Sequence, residues 1–202
     1  MENSEVVLTF CSATRADIDD ILAVQGSRQD VTSPEQLEGL DAKIESEGFM
    51  EELFTREELE KLFEDPDGIE IMVCKSEDKI SAYIVGYRLE KWLKLFPNWL
   101  KTTKFNGPNN IENYPADKTI YIRHVCSLPN NKHHLGSKLF STFLQKISKV
   151  GYTQVLCETL KRPLVNRASA GLFKRYGGTE IADVIENHSD TEYLWGLYSI
   201  KI

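Results

Sequence analysis

A mixed α/β domain is the fold that the 202-residue sequence predicts, and three observations predict it. Segments with apolar residues at three- and four-residue steps alternate with short β-branched runs along the chain. Two helical segments open on capping-box patterns, Thr14-x-x-Asp17 and Thr55-x-x-Glu58. Two pairs of apolar runs, one beginning at Ile69 and one at Thr179, are joined by short polar turns in the manner of antiparallel hairpins.

The elements follow in order. Val6 to Cys11 reads as a strand, and the helix behind Thr14 carries Ile18, Ile21 and Leu22 on one face. Ser33-Pro34 is an N-cap with proline at the first helical position, so a second helix is expected through Leu37, Leu40 and Ile44 to Gly48. The Thr55 box opens a third, with Leu59, Leu62 and Phe63, stopped by Pro66-Asp67-Gly68. Ile69 to Cys74 and Ile80 to Leu89 form the first hairpin. From Glu90 to Lys118 the pattern breaks: Trp92, Leu93, Leu95, Phe96, Trp99 and Leu100 suggest a helical piece interrupted at Pro97, followed by polar loop, so residues 90–118 are expected to be an insertion. Thr119 to Leu128 is a strand, and Leu135, Leu139, Phe143, Ile147 and Val150 mark a long helix ended by Gly151. Gln154 to Leu160 is a further strand, Asn166 to Tyr176 the last helix, and Gly177-Gly178 its stop. Thr179 to Ile185 and Tyr193 to Ile202 close the chain as a hairpin.

Composition bounds the function. Apolar residues make up 41% and aromatics 10%, enough for a full core, and the length suits one unit over 1–202. No run approaches the roughly 18 apolar residues of a membrane span, and MENSEVVLTF lacks the blocks of a secretory signal, so a cytoplasmic protein without a membrane partner is expected. Cys11, Cys74, Cys126 and Cys157 are isolated, and His133, His134 and His188 have no carboxylate or thiol at ligand spacing, so no metal is expected. The net charge of −7 argues against nucleic acid. That charge is sorted: Met1 to Asp78 holds 22 acidic and 6 basic residues, whereas Lys79 to Ile202 holds 9 and 18. A basic half suits a polyanionic ligand and an acidic half a cationic one, although solvated helix faces would give the same asymmetry.

The junction Leu128-Pro-Asn-Asn-Lys-His-His-Leu-Gly-Ser-Lys-Leu139 sets a polar loop between a strand and a helix. The free N–H groups and positive dipole end of such a helix make a seat for a pyrophosphate. Asn131 to Gly136 is similar to the cofactor signature of the GNAT superfamily of acyl-CoA-dependent N-acetyltransferases: Arg or Gln, two residues, Gly, one residue, Gly or Ala. Asn131 stands for the Arg or Gln, His134 for the first Gly, and Gly136 matches. Asn166, Ser169, Leu172, Phe173 and Gly177 resemble the family's Asn, Ala, Leu, Tyr and Gly in the helix after its fifth strand, and the element order resembles the family's across nearly the whole chain.

The resemblance implies a GNAT fold, a mixed, mostly antiparallel sheet of about seven strands with helices on both faces and strands four and five splayed around the coenzyme A site. It implies acetyl-CoA as cosubstrate, with the pantetheine arm on the backbone of Val125, Cys126 and Ser127. The phosphates fall to Asn131, Lys132, His133, His134, Leu135, Gly136, Ser137 and Lys138, while Asn166 and Phe173 contribute from the last helix. The acceptor is expected to be a cationic primary amine of a small molecule, peptide or protein; a homodimer stays open. His124 and Glu158 are the candidate bases, against a packed histidine and a carboxylate paired with Lys161 or Arg162, with a water relay as the alternative to both. Phe173 stands where the family has the tyrosine that protonates the leaving thiolate, and Tyr176, three residues on and roughly 60° around the helix, is the candidate replacement. A coenzyme A-binding regulatory module with the same fold is the rival reading.

Overall fold

The computed structural model describes residues 7–28, 48, 53–129, 134–188 and 191–202. One eight-stranded sheet in the order β1-β2-β3-β5-β6-β8-β7-β4 organises them. Its strands are β1 (Leu8–Ser12), β2 (Ile69–Ser76), β3 (Lys79–Arg88), β4 (Thr103–Phe105), β5 (Thr119–Ser127), β6 (Gln154–Arg162), β7 (Thr179–His188) and β8 (Thr191–Lys201). All neighbours pair antiparallel except β5 with β6. The helices are α1 (Ile18–Gly26), α2 (Arg56–Glu64), α3 (Leu89–Leu95), α4 (Trp99–Thr102), α5 (Leu135–Lys149) and α6 (Arg167–Arg175).

Local chemistry explains most boundaries. Asp17 closes its box on Thr14 (Oδ2 to N, 2.7 Å) as a 3₁₀ turn leading into α1. Glu58 does the same for Thr55 at α2 (2.8 Å). The β2–β3 turn is two residues, Glu77 and Asp78, with φ of 51° and 65°, the left-handed pair that matches strand twist. The strands therefore run further than the polar stretch Lys75 to Lys79 suggested. Pro97 separates α3 from α4. β4 lies within what the sequence marked as polar loop, pairing Thr103–Phe105 with Val184–Ala182 of β7, and it makes eight strands of the expected seven. The helix expected from Ser33 lies outside the described residues, apart from Gly48, whose φ of +85° suits a helix stop.

Alternation along the strands separates two cores. Tyr83, Val85 and Tyr87 of β3 face α1, α2 and α3 with Ile18, Ile21, Leu59 and Trp92. Ala82 and Ile84 face α5 with Leu139, Phe140, Phe143 and Ile147, as the periodicity predicts. Val150, expected on that stripe, is the C-cap and is 64% exposed, because the helix ends before its side chain can turn inward. Gly86 permits the close approach of α5: an added Cβ would lie 2.8 Å from Ile120 Cγ2 and 3.0 Å from Phe143 Cζ. Gly86→Ala is therefore expected to cost about 1–3 kcal/mol of stability through overpacking. A urea midpoint unchanged within error would show that Phe143 yields without strain.

Candidate active site

β5 and β6 run parallel only from Thr119–Ile122 beside Gln154–Cys157. Beyond that point β5 stays with β3 as far as Ser127, and β6 stays with β8 as far as Arg162. A gap thus opens between two strands whose other edges are fixed. The device that turns β5 away is a bulge: Val85 pairs with His124 and Gly86 with Ile122, leaving Arg123 as the extra residue. The bulge also resets which way side chains point. Tyr121 packs in the core under α3, and three residues after the bulge Cys126 has joined the same core, so odd and even positions exchange faces at Arg123.

A cavity of ≈ 370 Å³ passes through this gap, lined by residues from both sides of the sheet. Asn166, Ser169 and Phe173 line it from α6. His124, Val125 and Glu158 come from the parted strands, and Trp92, Phe96 and Trp99 cover it from α3 and its continuation. At the C-terminal end of β5 the chain turns into α5, and an added Cβ on Gly136 in that helix's first turn would meet Ser127 Oγ at 3.6 Å. The free end of a 15-residue helix therefore abuts the strand that borders the gap.

Glu158 is held by two donors. Trp99 Nε1 donates to its Oε1 at 2.6 Å, and the Tyr121 hydroxyl hydrogen-bonds the same carboxylate. Burial, with Glu158 adding to it, pushes the Tyr121 hydroxyl well above its ordinary range, so Tyr121 stays a donor. His124 is buried under Phe54 (ring centroids 4.2 Å apart). Burial, aided by Arg123, holds its imidazole well below the usual range, which keeps it neutral. Its tautomer follows from its neighbours. Gln25 donates Nε2 to Phe54 O (2.6 Å) and accepts at Oε1 from Phe54 N (3.1 Å) and from Tyr83 Oη (3.2 Å). With its proton committed to Gln25, the Tyr83 oxygen accepts from His124 Nδ1 at 3.1 Å. Nε2 is left as the unprotonated nitrogen on a ring that lines the cavity.

Solved structures resemble this chain along nearly its whole length. An N-acetyltransferase of Staphylococcus aureus Mu50 superposes with a TM-score of 0.61 at 12% identity, covering 96% of this chain and 98% of its own. The chain has the GNAT fold. The ribosomal-protein-S18-alanine N-acetyltransferase of Escherichia coli matches with a TM-score of 0.61 at 10% identity (97% and 94% covered). The Salmonella typhimurium protein yncA, solved with its cofactor acetyl-CoA, matches at 0.58 and 13% identity (96% and 93% covered). No family model and no curated sequence matches the chain.

Within this GNAT fold the structure brings His124, Val125, Glu158, Asn166 and Phe173 to one cavity. Asn166 is buried as the N-cap of α6, its side chain accepting from Ser169 N at 3.1 Å. The Cys126 side chain turns away: its Sγ lies 3.8 Å from Val24 O, and burial raises the thiol to about 12. Ser127 shares its carbonyl with a residue sequence reasoning missed, since Arg28 Nε, just past α1, donates to it at 2.7 Å. No local pattern marks Arg28, whose partner is 99 residues away. His134 caps α5 in the left-handed conformation (φ 51°), Leu135 is buried, and Lys138 is exposed. Asn131, Lys132 and His133 lie outside the described residues. Among the described residues no group of three or more His, Cys, Asp or Glu is arranged to hold a metal ion, and no helix is long and apolar enough to cross a membrane.

Tyr176 is the one predicted catalytic side chain that does not line the cavity. Its hydroxyl donates to Ser137 O at 2.9 Å and meets Ser137 Oγ at 3.1 Å, tying α6 to the first turn of α5. Tyr176→Phe is expected to lower stability by about 1 kcal/mol, the usual value of such a bond, and to leave kcat within about twofold. A hundredfold fall in kcat at unchanged melting temperature would instead make Tyr176 the proton donor.

Proposed function

We propose that the protein is an acetyl-CoA-dependent N-acetyltransferase acting on a primary amine, one domain in which residues 90–118 form an insertion covering the acceptor side. The parting of β5 and β6 over a cavity that exposes Glu158 and His124 is the observation that carries this reading. The thioester would enter from the side of α5 and α6, with its pantetheine arm along the backbone of Val125 to Ser127 and its phosphates at residues 131–138. The amine would enter from the opposite side, where α1 and α2 hold the acidic half of the chain.

Glu158 takes the proton from the incoming ammonium, with His124 Nε2 as the second acceptor within the cavity. The amine nitrogen then attacks the thioester carbonyl, forming the C–N bond, and a backbone N–H on the edge of β5 that borders the gap stabilises the oxyanion. A preorganised donor of this kind contributes about 3 kcal/mol to lowering the barrier. Collapse breaks the C–S bond, and a water relays the second proton of the nitrogen to the departing thiolate, since Phe173 has no hydroxyl and that of Tyr176 is bound to Ser137. Holding amine and thioester in reacting geometry accounts for much of the remaining acceleration.

Acetyl-CoA is expected to raise the melting temperature, and a panel of primary amines with acetyl-CoA is expected to release free thiol. No thermal shift at millimolar acetyl-CoA would sink the proposal. The same cavity supports a second reading: Phe173 lining it in place of a tyrosine suits a coenzyme A-binding module without turnover. A thermal shift with no thiol release across polyamines, aromatic amines, amino acids and peptides would favour that module.

A further inference from the structure

All three tryptophans of the chain, Trp92, Trp99 and Trp195, line the one cavity that crosses the parted strands. Two of them form a wall that supports itself. Trp92 stacks on Tyr121 (3.8 Å, 15°) and meets Phe96 on another side (4.0 Å). Trp99 stands edge-on to Trp92 and Tyr121 (6.4 and 5.6 Å) while its indole N–H holds Glu158. Trp195 is different. It reaches the cavity from β8, is half-buried, and among the described residues no aromatic ring stacks on it. Glu186, opposite Tyr193 in the β7–β8 register and so diagonal to Trp195, adds a second carboxylate to that of Glu158.

We propose that the acceptor is a small primary amine carried on a flat apolar body, the body lying against Trp195 and Phe96 and the ammonium drawn to Glu158 and Glu186. The assignment of that amine as acceptor rests on the acetyl-transfer reading; its binding does not. A flat ring gains from stacking on an indole in a way a flexible polyamine does not, and a ring pair improves affinity roughly two- to tenfold beyond the area it buries. Among the described residues Arg123, over the Phe96 ring (5.4 Å), is the one cationic side chain on the wall against the two carboxylates, so carboxylates and aromatic faces together favour a cation, whereas a neutral or anionic analogue forfeits that attraction. A volume of ≈ 370 Å³, partly claimed by the thioester end, suits a small molecule with one amine better than a folded protein surface.

Calorimetric titration of the whole protein with 2-phenylethylamine, spermidine and 2-phenylethanol tests this without requiring turnover, and tryptophan emission reports where the ligand sits. The expected result is a Kd for 2-phenylethylamine about tenfold below those of spermidine and of the neutral alcohol, with quenched emission. Trp195→Ala is expected to raise that Kd about tenfold while changing the spermidine Kd less than twofold. Phe96→Ala, at a half-exposed position, serves the same purpose should Trp195→Ala fail to fold. Spermidine or 2-phenylethanol binding as tightly as 2-phenylethylamine would overturn the inference, as would a preference that survives the substitution. Thiol release with spermidine and none with 2-phenylethylamine would also overturn it while leaving the acetyl-transfer reading intact. Tight, quenching binding of 2-phenylethylamine without thiol release would uphold the amine site and count against acetyl transfer.

Discussion

Glu158→Gln is expected to lower kcat about a hundredfold, the usual scale for losing a general base, while acetyl-CoA affinity changes little. The substitution suits the question because glutamine keeps an acceptor oxygen for Trp99 Nε1, so that hydrogen bond survives. What disappears is the negative charge and the capacity to take a proton. The melting temperature is expected to stay within a few degrees of wild type, since the side chain is only half-buried and glutamine fills the same space. The acid limb of the pH–rate profile is expected to flatten in the variant. If kcat falls less than threefold, Glu158 only binds the ammonium, and His124, neutral with Nε2 unprotonated, becomes the base to substitute next.

Gly136→Glu is expected to abolish acetyl-CoA binding altogether, read as the loss of the thermal shift that the wild type shows. Gly136 sits in the first turn of α5, where the backbone N–H groups of a helix start and the positive end of the helix dipole favour a bound anion. A glutamate there supplies its own carboxylate to those donors and repels the pyrophosphate. The helix itself tolerates the change, because among the described residues an added Cβ meets only Ser127 Oγ, at 3.6 Å, and an acidic residue near a helix start is stabilising by about 0.3–1 kcal/mol. Unchanged affinity in this folded variant would remove the α5 turn from the cofactor site.

The two substitutions differ in how far their sites were legible beforehand. Gly136 follows from a local pattern, a polar loop between a strand and a periodic helix. Glu158 and His124 were visible as titratable residues on adjacent strands, but the contacts that give them chemistry were not. Trp99, which positions Glu158, lies 59 residues away in a segment the sequence marked as a helical piece broken at Pro97. Gln25 and Tyr83, which set the His124 tautomer, come from α1 and β3. Tyr176 shows the opposite failure: helical spacing put its hydroxyl near Phe173, and the docking of α6 on α5 directs it to Ser137.

By itself the sequence determined most of the helical and extended segments among the described residues, because capping boxes, turn residues and apolar periods act within a few residues. Thr55 with Glu58 and the Leu135-Leu139-Phe143-Ile147 stripe are read correctly with no knowledge of the neighbouring chain. The resemblance in element order also implied a splayed junction between the strands at Thr119–Leu128 and Gln154–Leu160. Only the tertiary structure decided how that junction opens. The bulge at Arg123 exists because β3 pairs with Ile122 and His124 on either side of it, a register set between strands and invisible in the alternation of either one. β4 likewise exists only where Thr103–Phe105 meets β7, being too short to carry a period of its own. A side-chain period needs one strand; a gap between strands needs the partners on both of its sides, and those are fixed only when the sheet is assembled.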